Sequence, residues 1–387
     1  MHRLDLSTMV APHDTRAMGR LVSVLVAVLL RGPLLLGTLL FGPLLFGLVA
    51  CAPRLQPAGP PVVPPHVSDD VVTAPDGAKL PLRSWLPQGV ARKSPAAVVL
   101  ALHGFNDYSN AFDDAGRAWA EHGIATYAYD QRGFGGAPHR GYWAGTEAYV
   151  EDLKLTAALL RRRHAGVPFY ILGESMGGAV VMVAMSSTEP PPADGVILVA
   201  PAVWGRGFMP WYQTISLWFS AHTMPWMQLT GEGLKIRPSD NIEMLRKFSA
   251  DPMVIKATRI DAVHGLVDLM DAAQDAAPRF NAPSLILYGM NDEVVPDDPT
   301  FAMIKRLPRP TPARHRIALY QHGFHMLLRD LQAARVIEDV RAWIEQPDRP
   351  LPSGADALAR KALGAGGGPQ MDDKTRAPGL LPGVERP

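Results

Sequence analysis

Short, unbroken apolar runs recur along the middle of the chain. Residues 97–102 (Ala-Val-Val-Leu-Ala-Leu) stop at His103-Gly104, and residues 124–129 (Ile-Ala-Thr-Tyr-Ala-Tyr) stop at Asp130. Residues 168–172, 195–200 and 284–288 repeat the pattern. Strands of a parallel sheet read this way, because the sheet is covered on both faces and has no polar side to alternate with. Helical periodicity fills the gaps, at about 111–122, 147–165, 176–186 and 299–306. Strand and helix in alternation predict an α/β fold with a mostly parallel, doubly wound sheet. A last strand at 316–320 leads into a helix at about 327–345. An antiparallel pair at about 70–75 and 80–86, turning at Asp76-Gly77, opens the sheet.

More than 80 residues separate the runs 195–200 and 284–288. A plain crossover needs far fewer. The surplus predicts a helical cap, at about 203–280, inserted after the sixth strand. Its first part holds Trp204, Phe208, Trp211, Tyr212, Trp218, Phe219 and Trp226, and so four of the eight tryptophans of the chain. Some of these must pack the cap on the body. The excess suits an apolar channel or a face turned toward lipid.

Gly173-Glu174-Ser175-Met176-Gly177 follows the run 168–172 and opens a helical pattern. This is G-x-S-x-G between strand and helix, a turn sharp enough to hold a serine in strained geometry above the sheet edge. Ser175 is the candidate nucleophile. On such an elbow the amide after the nucleophile forms half of an oxyanion hole, and an amide from the loop after an earlier strand forms the other half. Met176 and Phe105 (in His103-Gly104-Phe105) stand at those places. The triad order is serine, acid, histidine. The acid is expected at the end of a late strand, where Asp292 stands with Glu293 beside it. Asp130 precedes Ser175, and Asp261, Asp268 and Asp271 belong to the insert, where they read as solvated or capping. His325, just before the last helix, is the candidate base. His322 stands one turn residue after the strand and reads as a surface group or as a residue backing the site without touching the reacting atoms. His103 reads as a loop fastener, and His122, His139 and His164 as surface or loop residues.

Five motifs together, HGFND (103–107), YDQRGFG (129–135), GESMGG (173–178), GMNDEVVP (289–296) and GFH (323–325), resemble the monoacylglycerol lipase and lysophospholipase group. That group lies within the serine aminopeptidase (S33) branch of the α/β-hydrolases, and the resemblance covers about residues 70–345. Asp251-Pro252 in the insert also resembles the group. The resemblance implies an α/β-hydrolase fold and a serine ester hydrolase (EC 3.1.1) acting on a monoacylglycerol or lysophospholipid. It implies Ser175, Asp292 and His325 as the triad, Phe105 and Met176 as oxyanion amides, and no metal or other cofactor. Glu174 departs from it, because the group often has histidine before the nucleophile. Proline-releasing aminopeptidases share the branch, but no acidic cluster for a substrate α-amine is visible in the sequence. A general carboxylesterase, a serine peptidase and a non-catalytic lipid-binding lipoprotein stand as alternatives.

The chain has 387 residues, with 38 Lys and Arg against 37 Asp and Glu, so no nucleic-acid footprint is present. Its one cysteine, Cys51, excludes a disulfide within the chain. Gly32–Ala50 is an uncharged stretch of 19 residues, which fits an export signal or a short membrane span. It ends Leu48-Val49-Ala50-Cys51, which resembles the bacterial lipobox. The resemblance implies lipidation at Cys51 and anchoring to a membrane surface outside the cytoplasm, at the bacterial outer membrane. The expected organisation is then a signal or anchor over 1–50, a proline-rich tether over 51–69, the hydrolase over 70–345 and a disordered tail over 346–387. The sequence does not specify an oligomeric state.

Overall fold

A computed structural model describes residues 52–89, 94–231, 235–309 and 313–364. Its centre is a nine-stranded sheet. The strands are β1 (His66–Val67), β2 (Val71–Thr73), β3 (Lys79–Trp85), β4 (Ala97–Leu102), β5 (Ile124–Tyr129), β6 (Phe169–Glu174), β7 (Gly195–Val199), β10 (Ser284–Gly289) and β11 (His315–Tyr320). Their order is β1-β2-β3-β5-β4-β6-β7-β10-β11. From β5 to β11 all pairs are parallel, whereas β1, β2 and β3 join antiparallel. The chain runs from β4 outward to β5 and then back across to β6, so the strand order reverses beside β4. The crevice at such a reversal is where open α/β sheets bind ligands.

The unbroken apolar runs arise because both faces are covered. Along β4, Val98, Leu100 and Leu102 enter one core cluster, while Ala97, Val99 and Ala101 enter the other. Successive strand residues point to opposite faces, so each layer needs its own apolar set. One layer comprises α2 (Thr146–Arg163), α3 (Met176–Met185) and α7 (Asp297–Arg306); α1 (Asp113–Glu121) and α8 (Ala333–Glu345) form the other. This is the mostly parallel, doubly wound sheet that the periodicity predicts.

The cap lies between β7 and β10. It holds α4 (Trp211–Thr223), α5 (Ile242–Ala250) and α6 (Ile260–Ala276). It also contains a small antiparallel pair, β8 (Gln228–Thr230) with β9 (Ala257–Arg259), which has too few residues to show a period in the sequence. The aromatic surplus does not turn inward. Trp211 is 75% exposed, Trp218 56% and Trp226 57%. Among the insert's acids, Asp261 is not solvated: it is fully buried, with Arg259 bound to both of its oxygens.

Two terminal segments differ from expectation. The proline-rich stretch is strapped to the body: the Gln56 amide donates to Trp143 O at 2.8 Å and the Arg54 amide to Asp261 at 3.2 Å. In the expected tail, α9 (Ala355–Leu363) packs with Ala355, Asp356 and Ala359 buried.

The membrane expectation is corrected. Cys51 and residues 1–50, on which it was placed, lie outside the described residues. Among the described residues no helix is long and apolar enough to cross a membrane. A span needs about 20 apolar residues. The apolar helix α3 has 10 and is buried in the core, while the longest, α2 with 18 residues, carries Arg161, Arg162 and Arg163. The membrane surface is withdrawn as a partner, and the outer membrane as a location.

Candidate active site

β6 ends at Glu174 and α3 begins at Met176, which leaves Ser175 alone to reverse the chain. Its backbone sits at φ 53° and ψ −116°, a sparsely populated region for a non-glycine residue. Close packing enforces it. A Cβ on Gly173 would lie 2.5 Å from the Gly177 backbone, and one on Gly177 would lie 2.2 Å from Leu102 O. The Ser175 amide donates to Val199 O at 2.9 Å, tying the elbow to β7.

Three side chains form a continuous hydrogen-bonded line. Asp292 is fully enclosed after β10, and its Oδ1 accepts the amides of Val294 and Val295 at 2.8 and 2.9 Å. Its Oδ2 accepts from His325 Nδ1 at 2.8 Å. A carboxylate only accepts, so the imidazole proton sits on Nδ1 and leaves Nε2 to accept from Ser175 Oγ at 2.9 Å. Burial alone pushes His325 down. The Asp292 charge and hydrogen bond, with the charge of Glu174 added, outweigh burial and raise its pKa above the ordinary 6.5.

The loop after β4 runs against the elbow, and a Cβ on Gly104 would stand 3.2 Å from Ser175 Cβ. Phe105 is next in the chain. Met176 opens α3, so its N–H belongs to the first turn, where amides have no intrahelical partner. His103 holds this loop: Nδ1 donates to Gly104 O at 2.8 Å, and Nε2 accepts the Gln131 amide at 3.0 Å. Burial pushes its pKa down, so it stays neutral. His322 is exposed. Asp130 accepts the amides of Ser109 and Gly136 and stays out of the site. His164 is buried and bonded to the Tyr127 hydroxyl at 2.9 Å, not a surface group.

Sequence reasoning missed the charges behind Ser175 and His325. Arg329 lies 2.8 Å from Asp107 and 3.3 Å from Glu174. Burial pushes Glu174 up in pKa, while Arg329 pulls it back. The unusual residue at 174 was the only signal, because nothing in the sequence ties Arg329 to it. The fold also gathers Asp107, Asp113, Asp114, Glu243 and Asp251 around a cavity of about 370 Å³ shared with Lys247 and Arg329. Ser175 does not line that cavity. Among the described residues, no cluster of three or more His, Cys, Asp or Glu could hold a metal ion.

Sheet order, capped insert and nucleophile elbow define an α/β-hydrolase of serine-hydrolase type. The chain belongs to the serine aminopeptidase S33 family, whose model matches residues 93–332. It is 23% identical over 273 residues to a monoacylglycerol lipase of Mycolicibacterium smegmatis, covering 69% of this chain and 93% of that one. It is 22% identical over 281 residues to a human monoglyceride lipase, covering 70% and 88%. Among solved structures, a soluble variant of a Saccharomyces cerevisiae monoglyceride lipase with a substrate analogue superposes with TM-score 0.60 at 19% identity, covering 76% and 98%. A Paleococcus ferrophilus monoacylglycerol lipase superposes with TM-score 0.57 at 21% identity, covering 68% and 98%. These solved lipases are matched almost end to end.

Proposed function

We propose that this protein hydrolyses carboxylic esters of lipids, monoacylglycerols or lysophospholipids, through an acyl-enzyme on Ser175. The observation that carries the reading is the line Ser175–His325–Asp292 at a strained elbow. Neutral Nε2 takes the Ser175 proton as Oγ attacks the ester carbonyl, and Asp292 stabilises the imidazolium that forms. The Phe105 and Met176 amides receive the oxyanion. His325 then protonates the leaving alcohol, and water, activated by the same imidazole, releases the acid. This chemistry calls for no metal or organic cofactor. The ester substrate class is supported by the names of the relatives, monoacylglycerol and monoglyceride lipases. We place the catalytic unit at 70–345, with α9 docked on it.

A fluorophosphonate should label Ser175 in the wild type and not in Ser175→Ala. His325→Ala should lose at least about a thousandfold in kcat, and His322→Ala should stay near wild type. The substrate class is read from kcat/KM over esters from acetate to long chains, below micelle formation, with lysophospholipids and aminoacyl amides alongside. Each methylene in contact contributes about 1 kcal/mol. An enzyme that prefers acetate, or one that cleaves the amides best, overturns the lipid reading.

A further inference from the structure

The cap grips the loop that carries His325. Just before α5, the five residues Arg237–Asn241 lie along the segments following β10 and β11. The Ser239 hydroxyl donates to Asp330 Oδ1 at 2.5 Å, and both residues are buried. Asp330 Oδ2 accepts the amide of Phe324 at 2.7 Å. On the other side of His325, the Met326 amide donates to Pro238 O at 3.0 Å. Both peptide neighbours of the histidine are therefore fixed, one directly by the cap and one through Asp330. The Asn241 side chain donates to Arg329 O at 3.0 Å, and Asp240 Oδ1 accepts the Leu331 amide at 2.9 Å. The same segment reaches the acid loop. The Arg237 amide donates to Glu293, next to Asp292, at 2.7 Å, and its guanidinium covers the Phe324 ring at 4.6 Å.

Contacts so spread would serve packing alone if they fell anywhere else. Here they converge on the two loops that bring an acid and a base to Ser175, and residues 321–332 contain no helix or strand of their own. We infer that Arg237–Asn241 is a positioning segment, with Ser239 and Asn241 acting through Asp330 and Arg329 to set His325 against Ser175. The inference rests on the triad reading given above. Its consequence is that a displaced cap misaligns the base, so the cap governs turnover as well as access.

The test uses the full chain and a short ester, p-nitrophenyl butyrate, which minimises contact between cap and acyl chain. The variants are Ser239→Ala, which removes the donor to Asp330, and Asn241→Asp. The second keeps the side-chain oxygen that caps α5 at Met244 N and removes the donor to Arg329 O. It therefore decides the matter if Ser239→Ala fails to fold. Active-site titration with a fluorophosphonate counts competent serines, and kcat is expressed per titrated serine. We expect kcat to fall about tenfold or more with KM within about twofold, because small misplacements of reacting groups cost rate without costing binding. A merely structural role would lower the titrated fraction or the melting temperature and leave kcat per serine at the wild-type value, which would overturn the inference. A rise in KM at unchanged kcat would also overturn it, by making the segment a substrate contact. If the wild type is not labelled on Ser175, the triad reading has failed, and the inference falls with it.

Discussion

Glu174 is buried beside Ser175, the proposed nucleophile, and a buried carboxylate persists only where a charge answers it. Arg329 answers both Glu174 and Asp107, so two carboxylates share one guanidinium. Burial and the Arg329 charge push the His325 pKa down, but Asp292 and the Glu174 charge outweigh them and raise it. A general base works unprotonated, so activity should be lost as pH falls through a value above the ordinary 6.5. Glu174→Gln removes one negative charge, which lowers the His325 pKa. The acid limb of kcat/KM should therefore move to lower pH. A limb that stays in place, or moves upward, would show that Glu174 does not reach the imidazole electrostatically.

At the scale of elements, α9 shows how composition misleads. Residues 346–387 are rich in proline, glycine and charge, which as a whole reads as disorder. Within them Leu351, Ala355 and Ala359 are each at least 95% buried against β11 and its surroundings. Asp356, also buried, is met by Arg360 at 3.0 Å and by Arg316 at 3.9 Å. Deleting the chain from Pro347 onward would uncover Trp343 and Ile317 and forfeit this burial. Leu351 alone contributes about 2 kcal/mol, and the whole helix should add more. Urea unfolding should show a lower midpoint for the truncated protein. An unchanged midpoint would mean that α9 adds nothing to the domain.

Across the whole molecule, one buried guanidinium joins parts distant in sequence. Arg132 binds Asp76 in the β2–β3 turn at 2.7 Å and Asp152 on α2 at 2.7 Å. Arg132→Leu would strand two enclosed carboxylates and should cost about 3–5 kcal/mol. Asp76 makes this network pH-dependent. Burial opposes its charge, but hydrogen bonds from Arg132 and from the Gly59 and Ala78 amides hold it down at about 2, against an ordinary 3.8. A depressed acid contributes stability above its unfolded pKa and loses it as pH falls through the folded one. Stability should thus decline between about pH 3.8 and about pH 2, and Asp76→Asn should flatten that stretch. Equal slopes in the two proteins would remove Asp76 from the account.

Patterns set by nearby residues were legible in the sequence. A strand covered on both faces must be apolar throughout, so β4, β5, β6, β7 and β10 stood out with boundaries within about two residues of those observed. The elbow was legible because its steric demands fall within five residues of one another. The order of serine, acid and histidine singled out Asp292 and His325. What depends on contact across long separations was decided only by the tertiary structure. His325 reaches Ser175 across 150 residues, and Ser239 reaches Asp330 across 91. No periodicity encodes such pairings, because the sheet order and the path of the cap determine which loops meet. The outward turn of Trp211 and Trp218, the partner of Arg329 and the docking of α9 belong to the same class. An apolar or charged residue announces a need for cover or for a counter-charge, and only the folded chain supplies the atoms that meet it, or leaves it facing water.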